Sequence, residues 1–532
     1  MSNLPALIRP DGSPLMRAPS GPRNEGILGW APARRAPDWQ NIDRPVAVAR
    51  AREMVETDGI ASGAITKTVD AVVGSQLRLK YTPSARALGL DDASARDFAE
   101  DVQALWDEFA TDPRGMCDQT RHSTMGGLFA LAYRHYLIEG DAIGALGYDE
   151  TRPSAFNTTL RVVDPDLLSN PNDRWDSPEL RGGVEIDADG AAVAYHFRGA
   201  HDRSLYADRR AWEWTRVPRE DEHGCPFVVH FFDRQRDGQT RGRSNIDVIV
   251  EALKMEDKHA RVELQAAVLD AVMAPFVRTN SELDSLSELF GSTGTEADPF
   301  TNYVSGRASY YDETDRVSID GVRVNRLYPG DEMGVAESRR PSQGYEEFSR
   351  TILRRIASGL GISYEQMTSD WSKTNYSSAR AALNEIWRSW TQRRLDFVQR
   401  FCAPVFACFF EEIVTRGFVA LPAGTPDLHA AYGAWTRVEG IGPGRGFVDP
   451  VKEVQASVER MRAGLTTMEK ETAELTGGDW RDNQKQLARE RDEMADGFTH
   501  PAFAASNAGH NGGPPLDEDA DERDRKENEA QQ

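Results

Sequence analysis

The stretch from Ser349 to Gly417 constrains the fold more than any other part of the chain, because it reads as a helix, a polar loop and one very long helix. Beyond Ser378, apolar side chains recur at steps of three or four residues, with one gap at Arg394, which predicts a single buried stripe on an α-helix. The stripe comprises Leu383, Trp387, Trp390, Phe397, Phe401, Val405, Phe409 and Ile413.

The sequence also marks both ends of this helix. Asn375, Ser377 and Ser378 are residue types that cap helix N-termini, and Gly417 is suited to the left-handed turn that ends a helix. A helix of this length would extend roughly 58 Å, so it needs a large surface to lie against. Because proline lacks an amide hydrogen, we expect a kink at Pro404. From the pattern alone, a long core helix of one large soluble domain is the favoured explanation.

The loop before the long helix carries a family resemblance. Residues 368–378 are polar and contain one lysine, Lys373. The run IASGLGISYEQMTSDWSKTNYSSARAALNEIWR (residues 356–388) resembles the matching segment of lambda-type bacteriophage portal proteins, in which Gly-Ile-Ser-Tyr-Glu, Asn-Tyr-Ser-Ser and Ala-Arg-Ala occur in this order. Upstream, His230-x-Phe followed by Gly-Gln-x-Arg-Gly at 238–242 fits the same family. The resemblance covers roughly residues 40 to 470.

Charge and cysteine usage limit the alternatives. The 532-residue chain has a net charge of −22, which disfavours a protein that grips nucleic acid over its whole surface. An acidic surface remains compatible with a protein that lets DNA slide past. Cys117, Cys225, Cys402 and Cys408 form no CxxC pair, so neither a disulfide framework nor a zinc ribbon is indicated. The longest apolar runs are too short to predict a transmembrane helix.

The resemblance implies an α+β, ring-forming subunit with a mixed α/β wing, a two-helix stem, a small α/β clip, a long kinked helix and a helical crown. Composition adds a flexible Pro/Arg-rich arm at the N-terminus and a disordered acidic tail at the C-terminus. The expected boundaries are 1–40 for the arm, 41–240 for the wing, 241–274 for the first stem helix, 275–344 for the clip, 345–363 for the second stem helix, 364–378 for the channel loop, 379–417 for the long wing helix, 418–496 for the hinge and crown, and 497–532 for the tail.

Three groups of candidate site residues follow. The channel loop is expected to face DNA through Trp371, Ser372, Lys373, Thr374 and Asn375. The aromatic side chains Trp387, Trp390, Phe397 and Phe401 are assigned to packing within and between subunits. A basic loop before the first stem helix contains Arg236, Arg241 and Arg243. Without the resemblance, this last segment is an ordinary solvated loop.

Several enzymatic motifs are absent from the sequence. There is no GxxxxGK[ST] phosphate loop, so the chain is not the packaging ATPase, and there is no GxSxG serine-hydrolase motif. His223, Cys225 and His230 could contribute to a metal site, but a fourth ligand at zinc-like spacing is missing. Glu139 and Asp141 flank a glycine in a way that a two-metal nuclease could use, although the polarity of a turn is the simpler and favoured explanation.

The function implied by the resemblance is that of a phage portal protein without enzymatic activity, cofactor or metal. Portal subunits form a ring, expected to be a dodecamer, at one capsid vertex, through which double-stranded DNA enters and leaves. The implied partners are further copies of the chain, the terminase large subunit, capsid and scaffold proteins, and head–tail adaptors, with no membrane. Localisation is expected in the virion after assembly in the host cytoplasm. The alternatives are a metal-dependent nuclease or head-maturation hydrolase, and another structural head protein such as an adaptor.

Overall fold

A computed structural model of the chain has an α+β fold in which long helices pack around several small antiparallel sheets. The described residues are 36–75, 77–201, 208–272, 276–279, 305–306, 309, 317–319, 322–324, 331–334, 345–372, 376–445 and 449–494. The predicted acidic tail, nearly all of the predicted arm, most of the predicted clip, and Lys373, Thr374 and Asn375 lie outside these residues.

The N-terminal part is helical, as the period of its apolar residues predicts. Helix α1 (Gln40–Thr57) ends at Asp58, whose carboxylate accepts hydrogen bonds from the backbone amides of Ile60 and Ala61 and so caps the next helix. The elements that follow are α2 (Gly59–Val72), β1 (Arg78–Tyr81), α3 (Ala85–Leu88), α4 (Asp92–Thr111) and α5 (Met125–Glu139).

Two antiparallel sheets follow α5. The first has the order β3-β2-β8, and the second has the order β4-β5-β6-β7. Their strands are β2 (Asp141–Tyr148), β3 (Thr158–Val163), β4 (Leu180–Arg181), β5 (Val184–Ile186), β6 (Ala192–Arg198), β7 (Trp214–Pro218) and β8 (Val228–Phe232). Short 3-10 turns lie at Pro37–Trp39, Pro165–Leu167, Pro171–Asp173, Arg209–Trp212 and His429–Ala431.

The turn from α5 into β2 requires glycine. Gly140 has φ +89°, and a Cβ atom there would lie 2.6 Å from the carbonyl carbon of Arg243. The close approach of these two backbone segments brings Glu139 and Asp141 next to the loop before the following helix.

Two helices then run side by side. Helix α6 (Val250–Val272) packs against α7 (Tyr345–Leu360), where the Ser349 hydroxyl donates to Glu256 over 2.8 Å. The first stem helix is expected over residues 241–274, but α6 begins at Val250 and residues 245–249 form turns. Between the two helices the structure describes two strand pairs, in which β9 (Phe276–Thr279) pairs with β12 (Asp331–Gly334) and β10 (Val317–Ile319) pairs with β11 (Val322–Val324).

The long helix is interrupted as the proline predicts, although the irregularity lies just before it. Helix α8 (Tyr364–Thr368) precedes α9 (Tyr376–Phe397), which continues through a π-helical turn at Val398–Cys402 into α10 (Ala403–Thr415). Pro404 cannot donate to a carbonyl in the preceding turn, and the amide of Ala403 reaches back five residues to the carbonyl of Val398.

The C-terminal segment returns to the N-terminal half of the chain. Strand β13 (Val438–Ile441) pairs with β1, after the short helix α11 (Tyr432–Trp435). Three further helices, α12 (Pro450–Arg462), α13 (Met468–Thr476) and α14 (Trp480–Glu493), complete the described chain. Lys80 on β1 donates to Glu469 and, over 2.7 Å, pairs with Asp479.

Aromatic rings from α4 and α10 form the centre of the main core. Phe409 stacks on Phe109 with 4.7 Å between ring centroids and meets Trp106 edge-on at 5.2 Å. A smaller cluster around Ile143, Val184 and Tyr195 lies between the two sheets. None of the helices in the described part is both long and apolar enough to cross a membrane.

Candidate functional site

Several hydrogen bonds hold the base of the predicted channel loop in place. Ser363 caps α8 by accepting from the amide of Gln366, and the Gln366 side chain accepts in return from the amide of Ser363. Ser369 ends the helix in the left-handed conformation, with φ +59°. A residue other than glycine in this conformation needs support from its surroundings.

Lys67 on α2 supplies that support. Its ammonium group donates to the carbonyl oxygens of Gln366 and Met367 over 2.7 and 3.2 Å, and to the Ser369 hydroxyl over 2.7 Å. One cation thus satisfies carbonyl oxygens that the end of α8 leaves without helical partners. The contact fixes the start of the loop to a helix about 300 residues earlier in the chain.

The loop leaves this anchor through a polar turn at Asp370. Its carboxylate accepts from the amide of Ser372 over 3.1 Å and from its hydroxyl over 2.6 Å, and these hydrogen bonds lower the pKa of Asp370. Trp371 is 40% exposed and Ser372 is exposed. The other three predicted loop residues, Lys373, Thr374 and Asn375, are not among the described residues.

The predicted packing aromatics separate into two pairs. Phe397 and Phe401 are fully buried, with their rings stacked at 5.1 Å, and Phe397 also meets Tyr133 at 5.1 Å. Both rings therefore pack within the subunit, and their packing between subunits stays a prediction. Trp387 and Trp390 are only partly buried and keep surface that a neighbour could cover.

Arg394 occupies the gap in the apolar stripe. Its guanidinium donates to the carbonyl oxygens of Val72 and Ala71, each over 2.8 Å, at the C-terminus of α2. Burial lowers the pKa of Arg394 to about 10. The gap therefore marks a polar contact between the long helix and α2, which also carries Lys67.

The basic loop is less basic at its surface than its sequence indicates. Arg236 and Arg243 are exposed, and Arg243 pairs with Asp247 over 2.7 Å. Arg241 is only 2% exposed. It lies in the predicted loop, but its side chain turns inward and neutralises a buried carboxylate, so it adds no charge to the loop surface.

That carboxylate is Asp141, at the start of β2. It accepts from Arg241 Nε over 2.7 Å, from Arg44 Nη2 over 2.8 Å and from the amide of Gly242 over 2.6 Å, while His230 Nε2 lies 3.1 Å away. Although burial alone would raise it, the two arginines hold the pKa of Asp141 well below its usual range. Burial lowers the pKa of Arg44 to about 10 and also lowers that of His230.

The neighbouring Glu139 is also paired. Its carboxylate accepts from Arg52 over 2.9 Å and lies 3.1 Å from His135 Nδ1. Since Glu139 and Asp141 are bonded to cationic and polar groups, this geometry gives no support to a two-metal nuclease. His230 lies on Asp141, so it does not complete a site with His223 and Cys225. Within the described ranges, no group of three or more His, Cys, Asp or Glu side chains is arranged to hold a metal.

Sequence reasoning missed several of these connecting residues. Arg44 and Arg52 lie eight residues apart on one helix, a spacing that could have indicated a common face. Lys67 left no such signal. Glu412, on the apolar helix α10, accepts from the amides of Asn157 and Thr158 over 2.6 and 2.8 Å. A charge on a mostly apolar helix can indicate a buried acceptor of this kind, although the adjacent Glu411 leaves open from the sequence which of the two is buried.

Known proteins resemble the chain over most of its length. The family model for phage portal protein, lambda family, matches residues 23–394. The portal protein of Escherichia phage N15 is 34% identical over 518 residues, covering 94% of this chain and 96% of that protein. Portal protein B of Escherichia phage lambda is also 34% identical over 518 residues, covering 94% and 95%. Among solved structures, one chain from the neck of an empty GTA particle is 13% identical in sequence and aligns with a TM-score of 0.46. The alignment covers 80% of this chain and 92% of that chain. The chain therefore belongs to the lambda family of phage portal proteins.

Proposed function

We propose that the chain assembles into a ring, most simply of twelve copies, at one capsid vertex and serves as the conduit for double-stranded DNA during packaging and ejection. The terminase large subunit and later the head–tail adaptors dock on it, and it resides in the virion after assembly with capsid and scaffold proteins in the host cytoplasm. In this scheme α6 and α7 form the stem, the segment between them forms the clip, and α12 to α14 form the crown.

The observation that carries this proposal is an apolar stripe on α6 that lacks cover in the described part of the chain. Val248, just before the helix, and Met255 and Val262 within it follow each other at seven-residue spacing, and each is 43–60% exposed. Side chains seven residues apart lie on nearly the same side of a helix. Exposed apolar side chains in such a row are typical of a protein interface.

Next to this stripe, Phe348 on α7 is 50% exposed and lies 4.9 Å from the ring of His259. The two stem helices thus share one apolar surface. If the same surface met itself, the result would be a two-fold dimer, whereas contact with a different face of the next copy closes a ring when the rotation permits. In such a ring, the channel loop would project toward the axis. Lys67 anchors its base, and the next residues, Trp371 and Ser372, lie at the surface.

The test is electron microscopy of the purified full-length chain. Two-dimensional class averages are expected to show rings with a central hole. Met255→Asp combined with Val262→Asp should abolish rings without loss of helical circular dichroism. Arg261→Ala, at an exposed position on another side of the same helix, should leave ring formation unchanged. A compact monomer at all concentrations, or shells and plates in place of rings, contradicts the proposal.

Two further measurements address the DNA path and the absence of catalysis. Lys373→Glu should preserve assembly while reducing packaging or ejection, because the loop would repel phosphates. Unchanged genome content in that variant would remove Lys373 from the path. The proposed function also requires that the purified protein leave DNA intact with Mg²⁺ or Mn²⁺ and without any cofactor. Cleavage that is lost in Glu139→Gln would support a nuclease instead.

A further inference from the structure

Two cysteines that are far apart in sequence meet beside the long helix. The Sγ atoms of Cys225 and Cys408 lie 2.9 Å apart, and the two residues are 183 positions apart in the chain. Both are free thiols. We propose that Cys225 and Cys408 form a reversible disulfide site that links the turn before β8 to helix α10.

Each thiol is held in place by its own element. The amide of Cys225 donates to the Asp221 carboxylate over 2.8 Å, and its carbonyl accepts from the Asp221 amide over 2.9 Å, which closes the turn around it. Cys408 belongs to α10, between the fully buried Phe406 and Phe409. Because both backbones are fixed, bond formation requires little ordering of the chain, and a disulfide needs this kind of pre-formed approach.

The surroundings favour a dithiol over a metal site. His223, on the same turn as Cys225, stacks on His429 with 4.5 Å between ring centroids. The described residues nevertheless include no group of three or more metal-type side chains in a ligating arrangement. Their sequence neighbours Gly224, Pro226 and Ala407 line a cleft of about 620 Å³, which neither cysteine lines. Both cysteines are themselves only partly buried, so a small disulfide reagent can approach the pair from the surface.

The oxidant is a low-molecular-weight disulfide such as oxidised glutathione. Cys225 attacks first as its thiolate, forming a mixed disulfide and releasing one glutathione thiolate. The hydrogen bond with Cys225, together with burial, raises the pKa of Cys408 well above its ordinary value, so Cys408 reacts second. It loses its proton to solvent and attacks Cys225 Sγ, which forms the protein disulfide and releases the second glutathione. Two protein thiols are oxidised and one glutathione disulfide is reduced.

The disulfide would fix the distance between the turn before β8 and helix α10. The disulfide can form wherever the two thiols keep this geometry and an oxidant is present. When it forms during the life of the particle rests on the proposed function. A virion component is made in a reducing cytoplasm and then released into oxidising surroundings, where disulfides persist. The site would therefore stay open during assembly and close in the released particle.

The test compares four cysteines in one protein. The full-length chain is incubated with oxidised glutathione, quenched with acid, denatured, alkylated and analysed by peptide mass spectrometry. We expect a cross-linked peptide pair containing Cys225 and Cys408, which dithiothreitol reverses, while the buried Cys117 and Cys402 are recovered alkylated. The thermal unfolding midpoint should rise by several degrees on oxidation, because the bond closes a long loop.

Cys225→Ser should leave Cys408 alkylated and remove the shift in the unfolding midpoint, whereas Cys402→Ala should retain both the cross-link and the shift. Recovery of Cys225 and Cys408 as separate alkylated or glutathione-bound peptides would overturn the proposal. The measurement gives the same answer whether or not the protein forms rings, so its failure is distinct from a failure of the proposed function.

Discussion

The guanidinium group of Arg241 lies directly against the carboxylate of Asp141, with Nε donating to Oδ2 over 2.7 Å and both side chains buried. Arg44 approaches the same carboxylate from α1. Three segments that are about 100 residues apart in sequence are therefore joined at one buried charge, which stabilises the packing of α1 against β2 and the loop before α6.

Asp141→Asn should lower the free energy of unfolding by about 3–5 kcal/mol, because Arg44 and Arg241 would remain buried without their common counter-charge. Urea denaturation of the purified protein measures this. The exposed pair of Arg243 and Asp247 provides the matched control, since Asp247→Asn should cost no more than about 1 kcal/mol. Equal losses in the two variants would show that burial does not determine the strength of the Asp141 contact.

Phe401→Ala should destabilise the individual subunit by about 3–5 kcal/mol, because its buried ring stacks on Phe397 and meets Phe129. Leu395→Ala, at a position on the same helix that is 48% exposed, should change the unfolding free energy by less than about 1 kcal/mol. Both variants are measured under conditions that keep the protein monomeric. A Phe401 variant that unfolds like the wild type but fails to form rings would instead support the predicted contact between subunits.

The sequence predicts the elements of this fold far better than their connections. Periodicity and caps indicate the long helix, because both depend on residues that are close in sequence. Proline chemistry predicts the interruption near Pro404. The partners of Asp141 could not be predicted, because the carboxylate meets cations 97 and 100 residues away and the sequence does not reveal which charges converge. For the same reason, the sequence explains Glu139 and Asp141 as polar turn residues and does not reveal their ion pairs.

The candidate site was predictable to a similar degree. The loop itself stands out by its polarity, and its family resemblance supplies a role. Its anchor does not stand out, because Lys67 looks like any exposed lysine of an amphipathic helix until α8 is placed against it. Arg241 is the reverse case. An arginine in a glycine-rich loop suggests an exposed side chain, although tertiary packing buries it.

Acid should weaken the contact between α12 and α13 through Glu471. The hydrogen bond from Arg460, over 2.7 Å, is the main cause that lowers the pKa of Glu471 from 4.5 to about 2. Because the folded-state pKa lies below the unfolded one, the contribution to stability is complete above about pH 4.5 and disappears as the pH falls toward 2. The difference in unfolding midpoint between wild type and Glu471→Gln should follow the same course. A difference that stays constant from pH 6 to pH 2 would contradict this assignment.

Lys67→Met should loosen the base of the channel loop without unfolding α2, because methionine keeps an unbranched apolar side chain and removes only the ammonium group. The lost hydrogen bonds include two to carbonyl oxygens at the end of α8 and one that supports Ser369 in its left-handed conformation. Amide hydrogen exchange in residues 364–372 should accelerate on the order of tenfold, which corresponds to the loss of one charge-assisted hydrogen bond. Arg134→Met is the matched control, since Arg134 donates to Thr66 on the same helix over 3.2 Å. Its effect should stay local to α2 and α5. If exchange in residues 364–372 is equally fast in both variants, or unchanged in Lys67→Met, the loop derives its order from contacts other than Lys67.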